Sequence, residues 1–167
     1  VDGQYTPHKP KLNGIGVGGE FGMVGVRTDS IAKLKFTLKD QKTNKPVKIH
    51  GMYFTVYDLD MASTFNNQGM EYVDFCGANE VIVTEFSVLK HDKEYASSNP
   101  GCKRYAASTK GVFEDNVTKA AHLTTAQKAK TVTAMYQEMS SFTVTLGATA
   151  MRSGSKHSRN FLFAAEA

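Results

Sequence analysis

The strongest structural constraint in this sequence is a strict alternation of apolar and polar residues that begins at Ile31. Successive side chains of a β-strand point to opposite faces, so a period of two predicts a strand with one buried and one solvent-exposed face. The apolar face would comprise Ala32, Leu34, Phe36 and Leu38, and the polar face Lys33, Lys35, Thr37 and Lys39. We therefore expect a half-buried strand here.

Turn-forming residues at 40–46 separate this strand from a second β-rich segment at 47–57, in which Phe54 and Val56 share one face. We expect the two segments to pair as a long hairpin. Further β-rich segments span residues 71–75, 80–89, 103–108, 131–136, 141–148 and 160–164. Eight or nine short strands predict an all-β fold, an antiparallel β-sandwich that is jelly-roll-like.

The length of 167 residues fits one domain. Residues 1–13, which contain two prolines, are predicted to be an extended N-terminal lead-in, and residues 14–167 a single β-sandwich domain. Glycine alternates with apolar residues from Gly14 to Gly25, which favours a strand pair or a bulged edge. One short helix is expected, with Thr124 as its N-cap and Gln127 completing a capping box.

The two cysteines, Cys76 and Cys102, each adjoin a glycine in turn-like surroundings and are predicted to form a disulfide. The alternative is a pair of buried thiols in a cytosolic protein. Asn116, followed by Val117 and Thr118, lies in an N-glycosylation sequon, which favours an oxidising, extracellular setting.

Composition excludes several classes of function. The formal net charge of +4 comes from lysines scattered singly along the chain, whereas nucleic-acid binding requires clustered basic residues. No apolar run approaches the ~20 residues of a membrane span. The chain begins with Val1, so we expect a processed chain or part of a longer one. Glycines at 14, 16 and 19 match a dinucleotide-binding fingerprint by letter, but proline-rich coil precedes them instead of a strand.

Acidic residues gather after the strand that ends at Tyr57. Asp58 and Asp60 project to the same side, and Glu71 returns beside them at the start of the next strand. Asp115, in a second acidic group, can complete the set. These oxygens would suit Ca²⁺, which takes about six to eight oxygen ligands. The alternatives are solvated acids at a loop end, or neutralisation by a basic neighbour such as Arg159.

Signals for catalysis are weak. The sequence lacks a Gly-x-Ser-x-Gly elbow, and its histidines do not fall at metal-ligand spacing. A polysaccharide lyase or glycoside hydrolase would need converging carboxylates or a Tyr/His pair, for which Glu71, Glu80 and Glu85 are candidates. We therefore expect a protein that is not an enzyme.

Five segments together resemble an uncharacterised secreted β-sandwich family of algae and marine protists. They are LKFTL at 34–38, FTVYDLD at 54–60, GMEYV at 69–73, LTTAQ at 123–127 and SRNFLFA at 158–164, and the resemblance covers about residues 25–165. Bacterial surface proteins carry a similar strand that ends in an Asp-x-Asp pair. The resemblance implies extracellular or cell-surface placement, with no activity to carry over. Where relatives have Asp-Asn-Pro, this chain has Asp115-Asn116-Val117.

The sequence therefore predicts an extracellular structural or adhesive module, a subunit of a surface coat, matrix or filament, whose partners are neighbouring subunits or copies of itself. The glycine-rich edge would permit close strand contact between copies. The alternative is a carbohydrate-binding module that contacts polysaccharide through exposed aromatic residues. Its candidate residues are Tyr53, Tyr57, Tyr72 and Tyr105.

Overall fold

A computed structural model describes residues 5, 7, 9–18 and 20–166 of the chain. Much of the lead-in predicted at 1–13 lies outside these residues. The described residues form eleven strands: β1 Gly14–Gly18, β2 Phe21–Arg27, β3 Ser30–Thr37, β4 Ile49–Tyr57, β5 Glu71–Cys76, β6 Glu80–Ile82, β7 Lys90–Asp92, β8 Cys102–Ala106, β9 Val132–Met139, β10 Ser141–Ala148 and β11 Ser158–Glu166. Two short helices, α1 (Lys93–Ser98) and α2 (Thr125–Ala129), and three 3₁₀ turns (Pro10–Leu12, Phe65–Asn67, Phe113–Asp115) complete the elements.

The strands form two antiparallel sheets. The six-stranded sheet has the order β1-β2-β11-β4-β9-β6, and the five-stranded sheet the order β3-β10-β5-β8-β7. Without the edge strands β1, β6 and β7, the sheets β2-β11-β4-β9 and β3-β10-β5-β8 remain, between which the chain passes repeatedly. This is the eight-stranded arrangement of a jelly roll, and the predicted all-β sandwich is confirmed.

The predicted hairpin between the strands at 31–39 and 47–57 is wrong. Strand β3 pairs with β10, whereas β4 pairs with β9 and β11 in the other sheet. The two segments are joined near the turn by a bridge between Lys39 and Pro46 and by the bond from Val47 N–H to the Leu38 carbonyl (3.0 Å), and they form no continuous ladder. Alternation in the sequence identifies the buried face of a strand but not the sheet to which the strand belongs. It therefore could not predict that the chain crosses from one sheet to the other between β3 and β4.

The two sheets enclose an aromatic core. Phe36 stacks on Phe142 with 5.0 Å between ring centroids, and Phe54 stacks on Phe163 at 5.3 Å. The predicted alternation along β3 and the two residues after it is confirmed: Ala32 is buried and Leu34, Phe36 and Leu38 are half-buried against the core, whereas Lys33, Lys35 and Lys39 are exposed. No helix among the described residues is long and apolar enough to cross a bilayer.

Two local predictions from sequence are confirmed. Cys76 on β5 lies directly opposite Cys102 on β8, with their Cα atoms 4.0 Å apart, and the two form a disulfide. At the start of α2, the Thr124 hydroxyl accepts from Gln127 N–H (3.3 Å), and the Gln127 side chain accepts from Thr124 N–H (2.9 Å). The helix α1 was missed; Asp92 caps it by accepting from Tyr95 N–H at 2.9 Å.

Candidate functional site

Four connections meet at one end of the sandwich, which we call the loop end: residues 28–29, 58–70, 107–131 and 149–157. The strand register requires this, because β4 ends, β5 starts, β10 ends and β11 starts on the same side. All of the predicted acidic ligands lie on these connections or at the strand termini beside them. The topology therefore brings together residues that are far apart in the chain.

Asp60 and Glu71 are locked together across the connection between β4 and β5. The Glu71 carboxylate accepts from Asp60 N–H at 3.0 Å, while Glu71 N–H donates to the Asp60 carbonyl at 3.0 Å. The guanidinium of Arg159, at the start of β11, donates to Glu71 Oε1 (2.9 Å) and to Asp60 Oδ1. Arg159, one of the alternatives considered for charge balance, is thus a direct partner of two of the acids.

Asp115 has a separate partner, Lys130, just after α2. The Lys130 ammonium donates to Asp115 Oδ2 and to the Lys110 carbonyl (3.0 Å), and both ionic side chains are more than nine-tenths buried. The Asp115 carboxylate also accepts from Val112 N–H at 3.1 Å. Sequence analysis did not identify Lys130, because a lone lysine after a short helix is usually solvated.

Asp58 occupies the space between these two ion pairs. It follows β4 in a left-handed backbone conformation (φ 58°), which aspartate tolerates better than most residues. Its Oδ1 is buried and has no hydrogen-bond partner among the described residues. Carboxylate oxygens of Asp58, Asp60 and Asp115 all lie within 4.8 Å of one another.

The electrostatics of the cluster favour an added positive charge. With all four carboxyls ionised, Lys130 and Arg159 leave two negative charges uncompensated. Burial, followed by the charge of Asp115, raises the pKa of Asp58 to about 6. Burial likewise raises the pKa of Glu71 well above its ordinary value, and the Asp58 charge adds to that rise. A divalent cation beside Asp58 would remove this penalty.

Glu71 differs from the other three predicted ligands. Both of its oxygens already accept hydrogen bonds, one from Arg159 and one from Asp60 N–H, so it positions Asp60 rather than facing the triad. A close approach by Gly111 defines the other side of Asp60, because a Cβ at Gly111 would overlap the Asp60 carboxylate. The three aspartates, Asp58, Asp60 and Asp115, therefore bring carboxylate oxygens together, and Oδ1 of Asp58 is the buried oxygen among them that has no hydrogen-bond partner in the described residues.

The four tyrosines proposed for carbohydrate binding do not share one face. Tyr53 and Tyr57 belong to the six-stranded sheet, whereas Tyr72 and Tyr105 belong to the five-stranded sheet. Tyr53 is 48% exposed, but Tyr57 is buried against Phe21 with ring centroids 5.1 Å apart. Asn116, the predicted glycosylation site, is exposed at the loop end.

Comparisons with protein-family models, curated proteins and solved structures found no match to this chain.

Proposed function

We propose that the protein is an extracellular structural or adhesive jelly-roll module that joins neighbouring copies of itself, as a subunit of a coat, matrix or filament. The observation that carries the proposal is the edge strand β1, which differs from the other three sheet edges in its lack of protection. The disulfide fits an oxidising compartment outside the cytosol.

Sheet edges are usually protected against pairing with another chain by charge or by short length. Strand β3 carries exposed Lys33 and Lys35, and β6 and β7 are only three residues each and include charged residues. Strand β1 reads Gly-Ile-Gly-Val-Gly and carries no charge, and Ile15 is 80% exposed. Within the described ranges, β2 is its only strand partner.

The backbone of β2 at Gly25, which β1 does not reach, is already hydrogen-bonded to side chains. Next to the first residue of β1, Gly25 N–H donates to Asn13 Oδ1 at 2.8 Å, and the Tyr5 hydroxyl donates to the Gly25 carbonyl. A β-bulge between Ile15 and Gly18 interrupts the regular ladder of β1. We therefore expect a partner strand to pair over a short length and to depend on apolar contact with Ile15.

The test is self-association of two lysine variants at matched positions. Ile15→Lys places a charge on the unprotected edge, whereas Ile31→Lys places one on β3, where Ile31 is 53% exposed beside the existing lysines. Analytical ultracentrifugation should show concentration-dependent association of the wild type and of Ile31→Lys, and its loss in Ile15→Lys. A wild type that stays monomeric at millimolar concentration, or equal association of all three proteins, would contradict the proposal.

Calcium is the second part of the proposal. We infer that one Ca²⁺ occupies the space between Asp58, Asp60 and Asp115, supported by the free, buried Oδ1 of Asp58 and the excess negative charge. Bound there, the ion would tie the 58–70 connection to the 107–131 connection. Its role would be structural, and its test is developed in the Discussion.

Carbohydrate binding remains a second candidate, favoured by a groove on the outer face of the six-stranded sheet. The groove has a volume of about 320 Å³ and is lined by Tyr53, Thr55, Glu166 and several alanines. A half-exposed ring beside hydroxyl and carboxylate groups suits a sugar. Binding on a glycan array that Tyr53→Ala abolishes would support this function; silence of the wild-type protein would contradict it.

A further inference from the structure

The sequon at 116–118 lies in a rigid part of the loop end. Val117 is buried against Phe21 and Tyr57, while Asn116 and Thr118 on either side of it are exposed. The Gln127 side chain donates to the Asn116 carbonyl at 2.7 Å, which fixes the backbone of the sequon to α2. An N-linked glycan on Asn116 would therefore leave the folded domain at a fixed position and direction.

An aromatic ring stands next to that position. Phe113 is 87% exposed, the highest value among the exposed large apolar side chains of the described residues. The 3₁₀ turn Phe113–Asp115 ends with a bond from Asn116 N–H to the Phe113 carbonyl at 3.4 Å. Asn116 is the C-cap of that turn, and it lines the same surface depression as Phe113, so the ring lies close to the glycosylation site.

A polar depression lies beside the pair. It has a volume of about 380 Å³, and its lining combines the polar residues Asp60, Lys110, Asn116 and Arg159 with the apolar residues Met61, Ala62, Val112 and Phe113 and with Gly111. The Asp60 and Arg159 side chains retain 14% and 19% of their exposure, so each can still reach a ligand in the depression. An apolar ring beside carboxylate, guanidinium and ammonium groups is the mixture that a sugar requires, because a pyranose has an apolar C–H face and a hydroxyl edge.

From this geometry we propose that Asn116 carries an N-linked glycan and that Phe113 is its docking platform. The first N-acetylglucosamine stacks its C–H face on the Phe113 ring, and its polar groups face the depression. This covers the most exposed apolar side chain and stiffens the connection that holds Asp115. The inference rests on the extracellular placement in the proposed function, because N-glycosylation occurs in the secretory pathway.

The test combines two variants in a cycle. The protein is secreted from eukaryotic cells and its glycan is trimmed to the single N-acetylglucosamine, while Asn116→Gln supplies the form without a sugar. Both forms are prepared with wild-type Phe113 and with Phe113→Ala, which gives four proteins to compare. We expect the sugar to raise the unfolding midpoint by about 2–4 °C in the presence of Phe113, the size of one aromatic contact in a domain of this length. With Phe113→Ala, less than half of that increment should remain.

Phe86→Ala is the matched control, because Phe86 is a 44% exposed aromatic side chain that does not line the depression. The increment should persist in this variant. Proton NMR of the trimmed glycoprotein should also show upfield ring-current shifts of the sugar protons that vanish in Phe113→Ala.

Secreted protein left unmodified at Asn116, an equal increment with and without Phe113, or an equal loss in both alanine variants would each overturn the proposal. Association through Ile15 on β1 is measured independently, so either idea can fail alone.

Discussion

Removal of calcium should destabilise the protein through Asp58, Asp60 and Asp115. An ion that binds the folded chain alone stabilises it by about 2.7 kcal/mol when its concentration is a hundred times its dissociation constant. For a domain of 150–250 residues each kcal/mol moves the midpoint by about 2–4 °C, so saturating calcium should raise it by about 5–11 °C over chelator. Magnesium should do much less, because it requires compact octahedral geometry and parts reluctantly with water.

The pH dependence supplies a second measurement on the same site. In chelator, the pKa of Asp58 is about 6 in the folded state and ordinary when unfolded, so the folded state binds the proton more tightly. Stability from this group is therefore present at acid pH and is lost as pH rises toward about 6. After allowance for solvent screening, the loss between pH 5 and pH 7 is about 1 kcal/mol. Calcium competes with the proton for Asp58, so the rise in the unfolding midpoint that calcium causes should be smaller at pH 5 than at pH 7.

Asp58→Asn is the perturbing variant, since it keeps the shape and tolerates the left-handed backbone. Asp29→Asn is the matched control, because Asp29 also has a positive φ (61°) at the loop end but is exposed. Differential scanning calorimetry should show the calcium effect in Asp29→Asn and not in Asp58→Asn. The pH effect should be complete in Asp29→Asn and smaller in Asp58→Asn, where the buried Glu71 still has a raised pKa. If wild-type curves superimpose in chelator and in millimolar calcium, the triad is only an internal charge cluster and the reasoning fails.

Two further predictions concern the framework around this site. Gly111→Ala should destabilise the fold by about 1–3 kcal/mol in chemical denaturation, because its Cβ would displace the Asp60 carboxylate. Gly51→Ala is the control, since a Cβ there meets nothing within 4 Å and should change the denaturation midpoint little. Equal effects of the two variants would contradict the assigned contact. Replacing Cys76 and Cys102 with serine should reduce the free energy of unfolding by about 3.5 kcal/mol, which is the chain entropy of the loop that the disulfide closes across a separation of 26 residues. A urea denaturation curve that matches that of the oxidised wild type would refute this prediction.

Local pattern carried much of the fold prediction. The alternation at 31–39, the capping box at Thr124 and the antiparallel glycine-rich pair all depend on neighbours in sequence, and each is confirmed. The β3–β4 hairpin failed because the choice of sheet depends on the partners β10 and β9, more than a hundred residues and about 80 residues away in the chain. No local signal carries that choice.

Only part of the candidate site could be predicted from sequence, for the same reason. Acidic residues are conspicuous in sequence, and Asp58, Asp60 and Asp115 do meet. Lys130 and the aromatic neighbour Phe113 gave no signal, because a lone lysine and a lone phenylalanine acquire meaning only through what the fold places beside them.

The buried charges at the loop end also supply hydrogen bonds that an apolar core cannot. Connections between sheets leave backbone groups without ladder partners, and a buried group left unpaired is costly. Lys130 satisfies the Lys110 carbonyl, Asp115 the Val112 N–H and Glu71 the Asp60 N–H. Apolar side chains of equal volume would fill the space but orphan all three groups. The cluster thus ties residues 107–131 to the core, which fixes the segment that carries Phe113 and the sequon and holds carboxylate oxygens of Asp58, Asp60 and Asp115 within 4.8 Å of one another, close enough for one cation.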